Sequence, residues 1–131
     1  MKNQVTYLNK AIIGSYVTSK YDIIHLMIKS GFEVNARTIY GYTPLMYATL
    51  ADFSSIVRLL VLYGAKIDEQ QFNFDGNTSL MIAIYMFNKQ IPNLISLGAS
   101  VSKRNNKGFS SIEYALSRTN IHAFKVIAYL T

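Results

Sequence analysis

The sequence contains no cysteine and no tryptophan, and only two prolines among its 131 residues. Without cysteine there is no disulfide framework, no thiolate nucleophile and no cysteine-ligated metal. Acidic residues are scarce as well: seven Asp and Glu stand against thirteen Lys and Arg, a net charge of +6. That balance speaks to long-range attraction toward acidic partners, not to fold. Long apolar runs are missing too. The opening MKNQVTYLNKAIIGSY breaks its apolar pairs with polar residues and lacks the continuous core of a secretory signal. No window reaches the unbroken apolar length of a membrane span. What is present is apolar bulk, 50% of the residues with only 15% charged, including ten Tyr and seven Phe. A chain of this size and composition can bury one core and is too apolar for a disordered tail.

Internal repetition organises the chain. The phrase Thr43-Pro44-Leu45-Met46-Tyr47-Ala48 recurs 35 residues later as Thr78-Ser79-Leu80-Met81-Ile82-Ala83, and 32 after that as Ser110-Ser111-Ile112-Glu113-Tyr114-Ala115. A degenerate copy, Thr6-Tyr7-Leu8-Asn9-Lys10-Ala11, precedes them by 37. A second phrase runs in phase: Gly31-Phe32-Glu33-Val34-Asn35, Gly64-Ala65-Lys66-Ile67-Asp68 and Gly98-Ala99-Ser100-Val101-Ser102. Further glycines follow each of these, at 41, 76 and 108.

Together these phrases resemble the ankyrin repeat, with its T-P-L-H-x-A opening, apolar second helix and G-A-D-V-N close. The resemblance covers essentially the whole chain as four units, of which the second is the nearest to the pattern. It implies an all-α fold, an ankyrin-repeat solenoid of stacked helix-turn-helix units with short hairpin fingers. One domain spans residues 1–131, with repeats near 1–36, 37–71, 72–104 and 105–131.

The spacing has physical sense. Thr43 can cap a helix whose first position is Pro44, where a missing N–H costs nothing. The hydroxyl residues at 78–79 and 110–111 can cap in the same way. Leu45 and Ala48 share one face, and the small Ala admits a close neighbour. Ile56, Val57, Leu59, Leu60 and Val61 form a wide apolar stripe for a second helix. Gly64 ends that helix in a left-handed conformation.

Departures from the pattern carry information. Repeat one has Gln4 where the finger Gly belongs and extra residues around Gly14–Lys20, which predicts a longer loop in an atypical N-terminal unit. The finger running from Asp68 to Gly76 is two residues long for the family. Pro92 is tolerable only in a first turn, so a helix starts close to Gln90. Repeat four stops at Thr131, where the closing Gly would stand.

No motif calls for catalysis, a cofactor or a metal. His25 and His122 both fall in second-helix stretches, His122 with no His or carboxylate at i±3 or i±4 and His25 with Asp22 alone at i−3, so they read as helix residues without a catalytic role. Asp68 and Glu69 are adjacent and splay to opposite sides of an extended finger, a poor geometry for sharing a proton or a metal. No phosphate-loop, dinucleotide, nucleophile-elbow or HExxH string occurs. Asn77-Thr78-Ser79 fits a glycosylation sequon, but helix capping is the better account without a secretory signal.

The resemblance implies instead that finger tips and the inner face of the first helices grip another protein. Carried over position by position, the finger candidates are Arg37, Ile39, Tyr40 and Tyr42, then Phe72, Phe74, Asp75 and Asn77, then Arg104, Lys107 and Phe109, with Asn106 beside them. The groove-facing candidates are Leu50 and Ala51, Tyr85 and Met86, and Ser117 and Arg118. Aromatics and Arg dominate interface hot spots. The competing account is that some of these rings pack finger against finger.

Charge is uneven: +2 over residues 1–34, +2 over 35–66, −2 over 67–101 and +4 over 102–131. The basic end reads either as steering toward an acidic partner or as a solvated cap. With no basic helix, zinc finger or stacking platform, nucleic acid is not an expected partner. The last helix is apolar for a terminal unit, and weak self-association through Ile121, Phe124, Tyr129 and Leu130 is expected where that surface is not buried on repeat three. Two functions follow: an interaction module that inhibits or sequesters one intracellular protein, or a structural or targeting subunit that tethers a larger assembly. The expected location is the cytoplasm, or the interior of a host cell for a viral or delivered bacterial protein, with no membrane contact.

Overall fold

A hydroxyl side chain opens the first helix of repeats two, three and four. Thr43 Oγ1 accepts from Met46 N at 3.2 Å, Thr78 Oγ1 from Met81 N at 3.4 Å and Ser110 Oγ from Glu113 N at 3.4 Å. Each satisfies a backbone donor that the helix itself leaves open, a contribution of about 1 kcal/mol. The computed structural model describes residues 11–12, 21–72, 75–118 and 123–130, with the backbone alone at 123, 124 and 127. Its helices are α1 (Tyr21–Lys29), α2 (Pro44–Leu50), α3 (Ser54–Leu62), α4 (Ser79–Met86), α5 (Gln90–Ser96), α6 (Ser111–Ser117) and α7 (Ala123–Leu130). No strand occurs among the described residues.

The helices end as regularly as they start. At the close of α1, α3 and α5 a glycine with φ near +96 to +98° donates to the carbonyl three residues back, and the next residue donates five back: Gly31 and Phe32 to Ile28 and Met27, Gly64 and Ala65 to Val61 and Leu60, Gly98 and Ala99 to Ile95 and Leu94. This reciprocal pair satisfies the last open carbonyls and turns the chain sharply. The first helices turn with the same bonds but no glycine. Asp52 and Phe87, at φ 59° and 48°, take the left-handed position after α2 and α4. Aspartate tolerates it; Phe87 does so while packing its half-buried ring on the core.

Like helices stack on like. The first helices α2, α4 and α6 form one layer and the second helices α1, α3, α5 and α7 the other, each in contact with its neighbour along the stack. Ala48, Ala83 and Ala115, the alanines of the repeated phrase, are all buried between them. Helix α4 sits between two first helices and its own partner α5, and every residue from Ser79 to Ile84 is buried. Ile12 extends the core into repeat one. A fully buried Leu or Ile contributes about 1.5–3 kcal/mol, and the buried cluster runs through all four repeats. The expected longer loop at Gly14–Lys20 lies outside the described residues.

Polar bonds fix the register between repeats. Asn35 Oδ1 accepts from Lys66 N at 2.7 Å while its Nδ2 donates to Gly64 O, and one repeat on Asp68 Oδ1 accepts from Ser100 N at 2.8 Å. Gln90 begins α5, as the proline at 92 requires. Its fully buried amide donates to Asp52 Oδ1 and Ser54 Oγ, both at 2.8 Å, and accepts from Asn93.

Two expectations about the last repeat divide. Val126 and Leu130 are buried, and α7 packs on α5 and α6, so Leu130 is not available to a second copy. This removes Leu130 from the self-association surface expected from sequence. Tyr129 remains 50% exposed. Ile121 and the Phe124 side chain lie outside the described residues.

The fingers touch through glycines. A Cβ on Gly41 would lie 2.3 Å from Phe72 N, a backbone clash, and one on Gly76 would meet the Asn106 amide at 2.5 Å. Nothing would meet a Cβ on Gly64. Gly64→Ala should therefore cost only the left-handed conformation, about 1–2 kcal/mol. Gly41→Ala should cost about 3 kcal/mol or more, and Phe72→Ala should not rescue it because the obstacle is backbone. Denaturant unfolding of the three variants checks the order. The adjacent serines of α6 should move oppositely. Ser110→Ala removes a cap and destabilises by about 1 kcal/mol. Ser111 Oγ is buried with no hydrogen-bond partner, so Ser111→Ala should be neutral or stabilising by about 1 kcal/mol in the same assay.

Candidate protein-binding groove

The repeated phrase also dictates which side chains face the fingers. Leu45, Leu80 and Ile112 point toward the second-helix layer, Leu45 and Leu80 fully buried. The fifth position of the phrase, Tyr47, Ile82 and Tyr114, together with residues three and four further on, lies on the opposite face. In repeats two to four those later residues are Leu50, Tyr85 with Met86, and Arg118.

Between this face and the fingers lies a groove of about 350 Å³. Of the residues selected from sequence, Tyr42, Leu50, Asp75, Asn77, Tyr85, Met86 and Arg118 are brought together on its walls. Sequence reasoning missed Gln71, Ile82 and Tyr114, which complete the lining. For Ile82 and Tyr114 the signal was present, since both hold the fifth place of the phrase, one helical turn before Tyr85 and Arg118. The groove is mainly aromatic and aliphatic, and Tyr85 and Met86 are 55% and 46% exposed at its edge.

Hydrogen bonds hold its floor. Asn77 Nδ2 donates to the Tyr114 hydroxyl at 3.4 Å, and Asn77 Oδ1 accepts from Asn105 Nδ2 at 2.9 Å. Asn105 Oδ1 in turn accepts from Lys107 N and Phe109 N, both at 3.0 Å, which shapes the last finger. Arg118 places its guanidinium 3.9 Å above the centroid of the Tyr85 ring. Tyr42 packs against Tyr47, ring centroids 5.4 Å apart.

Other selected residues lie elsewhere or are already engaged. Arg37 donates to Gly41 O at 2.9 Å and Gln70 O at 2.6 Å, pairs with Glu69 and stacks on Phe72 at 4.4 Å. It pins finger two to finger three. Asp68 and Glu69 do splay, one toward Ser100 and the other back toward Arg37. Arg104 Nη1 donates to Gly108 O at 2.6 Å and pairs with Glu113 at 2.8 Å, and Lys107 Nζ lies 3.4 Å from Asp75. The basic and acidic fingers thus partly neutralise each other. Ile39 and Tyr40 stand free at the tip of the turn closed by Gly41 N to Thr38 O, Ile39 being 84% exposed, with Phe72 beside them. Phe109 is half-buried against the core, and Ala51 is buried. Phe74 lies outside the described residues. No cluster of metal-ligating side chains and no helix long and apolar enough to cross a membrane occurs among the described residues.

Comparison with known proteins agrees with this architecture. A family model described as ankyrin repeats, in three copies, matches residues 8–105. The chain is similar to the putative ankyrin repeat protein FPV034 of fowlpox virus, 25% identical over 114 residues, covering 86% of this chain and 25% of the viral protein. It is 36% identical over 85 residues to the ankyrin repeat and SAM domain-containing protein 6 of Mus musculus, covering 64% of this chain and 10% of that protein. The ankyrin repeat and KH domain-containing protein mask of Drosophila melanogaster is 32% identical over 108 residues, covering 82% of this chain and 3% of the fly protein. The chain spans a quarter or less of each of these relatives.

Burial pushes the Tyr114 hydroxyl pKa above the usual value of 10.0, and the nearby Arg118 charge only partly offsets it. A folded-state pKa above the unfolded one means that stability is intact below the unfolded value near 10 and is lost as pH rises through the folded value. Spectrophotometric titration at alkaline pH should show a late tyrosine component that Tyr114→Phe removes. The variant should also lose stability less steeply in that range.

Proposed function

The chain belongs to the ankyrin repeat family, a non-catalytic module that mediates protein–protein interaction, and we propose that its groove holds a segment of one intracellular protein and thereby inhibits or sequesters it. The observation that carries this reading is the groove itself. It gathers Tyr42, Leu50, Tyr85, Met86 and Arg118 from three successive repeats around one space of about 350 Å³. Tyrosine and arginine are residue types that dominate interface hot spots. The exposed Ile39, Tyr40 and Phe72 extend the apolar surface along the finger tips.

The alternative, a tethering subunit that self-associates through α7, has less support. Leu130 is turned inward, which leaves Tyr129 as the exposed member of that set among the described side chains. The proposed setting is the cytoplasm, or the interior of a host cell.

The test is affinity capture from the native host with the full chain, comparing a groove variant, Tyr85→Ala with Met86→Ala, against a second-helix variant, Leu26→Ala with Leu62→Ala. Leu26 and Leu62 are exposed on α1 and α3, so the second variant controls for general loss of surface apolarity. The expected outcome is one stoichiometric partner that is lost from the groove variant and kept by the other. Adding purified chain should then depress that partner's own activity. Retention by the groove variant with loss from the second-helix variant would move the interface to the opposite layer.

A further inference from the structure

The groove is not electrically neutral in what it offers. Among the described residues that line it, the carboxylate is Asp75, with Lys107 Nζ at 3.4 Å, and the guanidinium is Arg118, which has no acceptor among those residues within hydrogen-bonding distance. Among the described residues the other arginines differ: Arg37 pairs with Glu69, Arg104 with Glu113, and Arg58 donates to Asn93 Oδ1 at 3.4 Å. The Arg118 charge is held by the Tyr85 ring at 3.9 Å instead. Stacking uses the face of the guanidinium and leaves its N–H edge open, and that planar edge matches the two oxygens of a carboxylate. A second donor stands near. The Tyr114 hydroxyl already accepts from Asn77 Nδ2, so its own proton remains to be given.

We propose that the groove takes a peptide segment in which a carboxylate docks on the N–H edge of Arg118 while an adjacent aromatic or branched aliphatic side chain fills the space between Leu50, Ile82, Tyr85 and Met86. This rests on the groove being the binding site, and it adds the chemistry of the partner. Arg118 is the specificity residue. Tyr85 pre-orients it, so that the side chain loses less freedom when the carboxylate arrives. The excess positive charge of residues 102–131, +4, favours approach of an acidic segment from that end. The carboxylate can be an Asp or Glu side chain or the end of a chain, because both present the same planar pair of oxygens.

The probe is a library of random linear peptides displayed on phage and selected on the full-length chain. Selected sequences are then made as labelled synthetic peptides and measured by fluorescence anisotropy. The expected result is enrichment of Asp or Glu beside Tyr, Phe, Leu or Ile. Arg118→Gln should weaken the acidic peptide about tenfold, as should exchange of its Asp or Glu for the amide, and the two changes together should cost little more than either. Arg118→Lys should restore only part of the affinity, since an ammonium keeps the charge but not the fork. Amidating the peptide's C-terminus separates the sources: loss assigns the carboxylate to a chain end, and retention assigns it to a side chain.

Binders that depend on Tyr85 but are indifferent to Arg118→Gln, or that enrich no acidic residue, overturn this inference and leave the groove reading standing. Binders indifferent to both Tyr85→Ala and Arg118→Gln, or no binders at all, overturn both.

Discussion

No repeat in this chain can bury its own apolar surface, and that shortage governs the rest of the structure. Helix α4 is apolar on every side, so it is stable only where α2 and α6 flank it and α5 covers its back. The buried alanines Ala48, Ala83 and Ala115 set the place where successive first helices meet. Any shift of one unit against the next would expose leucines and isoleucines on both and would break the amide bonds from Asn35 and Asp68 to the following turn. Burial supplies the driving force, and the directional bonds supply the register.

The groove is a consequence of that register. Fixing each first helix against the next aligns the exposed faces of α2, α4 and α6, which brings Leu50, Tyr85, Met86 and Arg118 onto one wall. The fingers form the other wall because they pack through glycines. Gly41 admits the Phe72 backbone, Gly76 admits the Asn106 amide, and Arg37 then reaches across from one finger to the carbonyls and carboxylate of the next. The charges of Arg37 and Glu69, and of Lys107 and Asp75, are spent on one another in this way. What is left facing the groove is aromatic surface and one stacked guanidinium, and those residues carry recognition.

Much of this was legible from the residues. Period, caps, closing glycines and the start of α5 near Pro92 follow from local chemistry that needs no neighbour. The phrase Ser110–Ala115 announced the last first helix although the family match ends at residue 105. Local reasoning failed where partners decide. Arg37 looks like a free cation in the sequence, yet its donors are satisfied by residues some thirty positions away. Lys107 and Asp75 likewise read as separate charges of opposite fingers. Which members of the apolar set in α7 are buried was likewise open in the sequence, and packing on α5 and α6 buries Leu130 while Tyr129 stays exposed.

The sequence by itself therefore determined the units: where the capped first helices begin, where second helices close on glycine, and how many residues separate the phrases. Those are properties of short-range hydrogen bonding and of a fixed periodicity. The tertiary structure alone decided which exposed residues are free. Exposure and charge pairing depend on contacts between residues a whole repeat apart, and only stacking sets those distances. It withdrew Arg37, Arg104 and Lys107 into bonds within the chain, added Ile82 and Tyr114 to the groove, and laid Arg118 on Tyr85 with no carboxylate paired to it among the described residues.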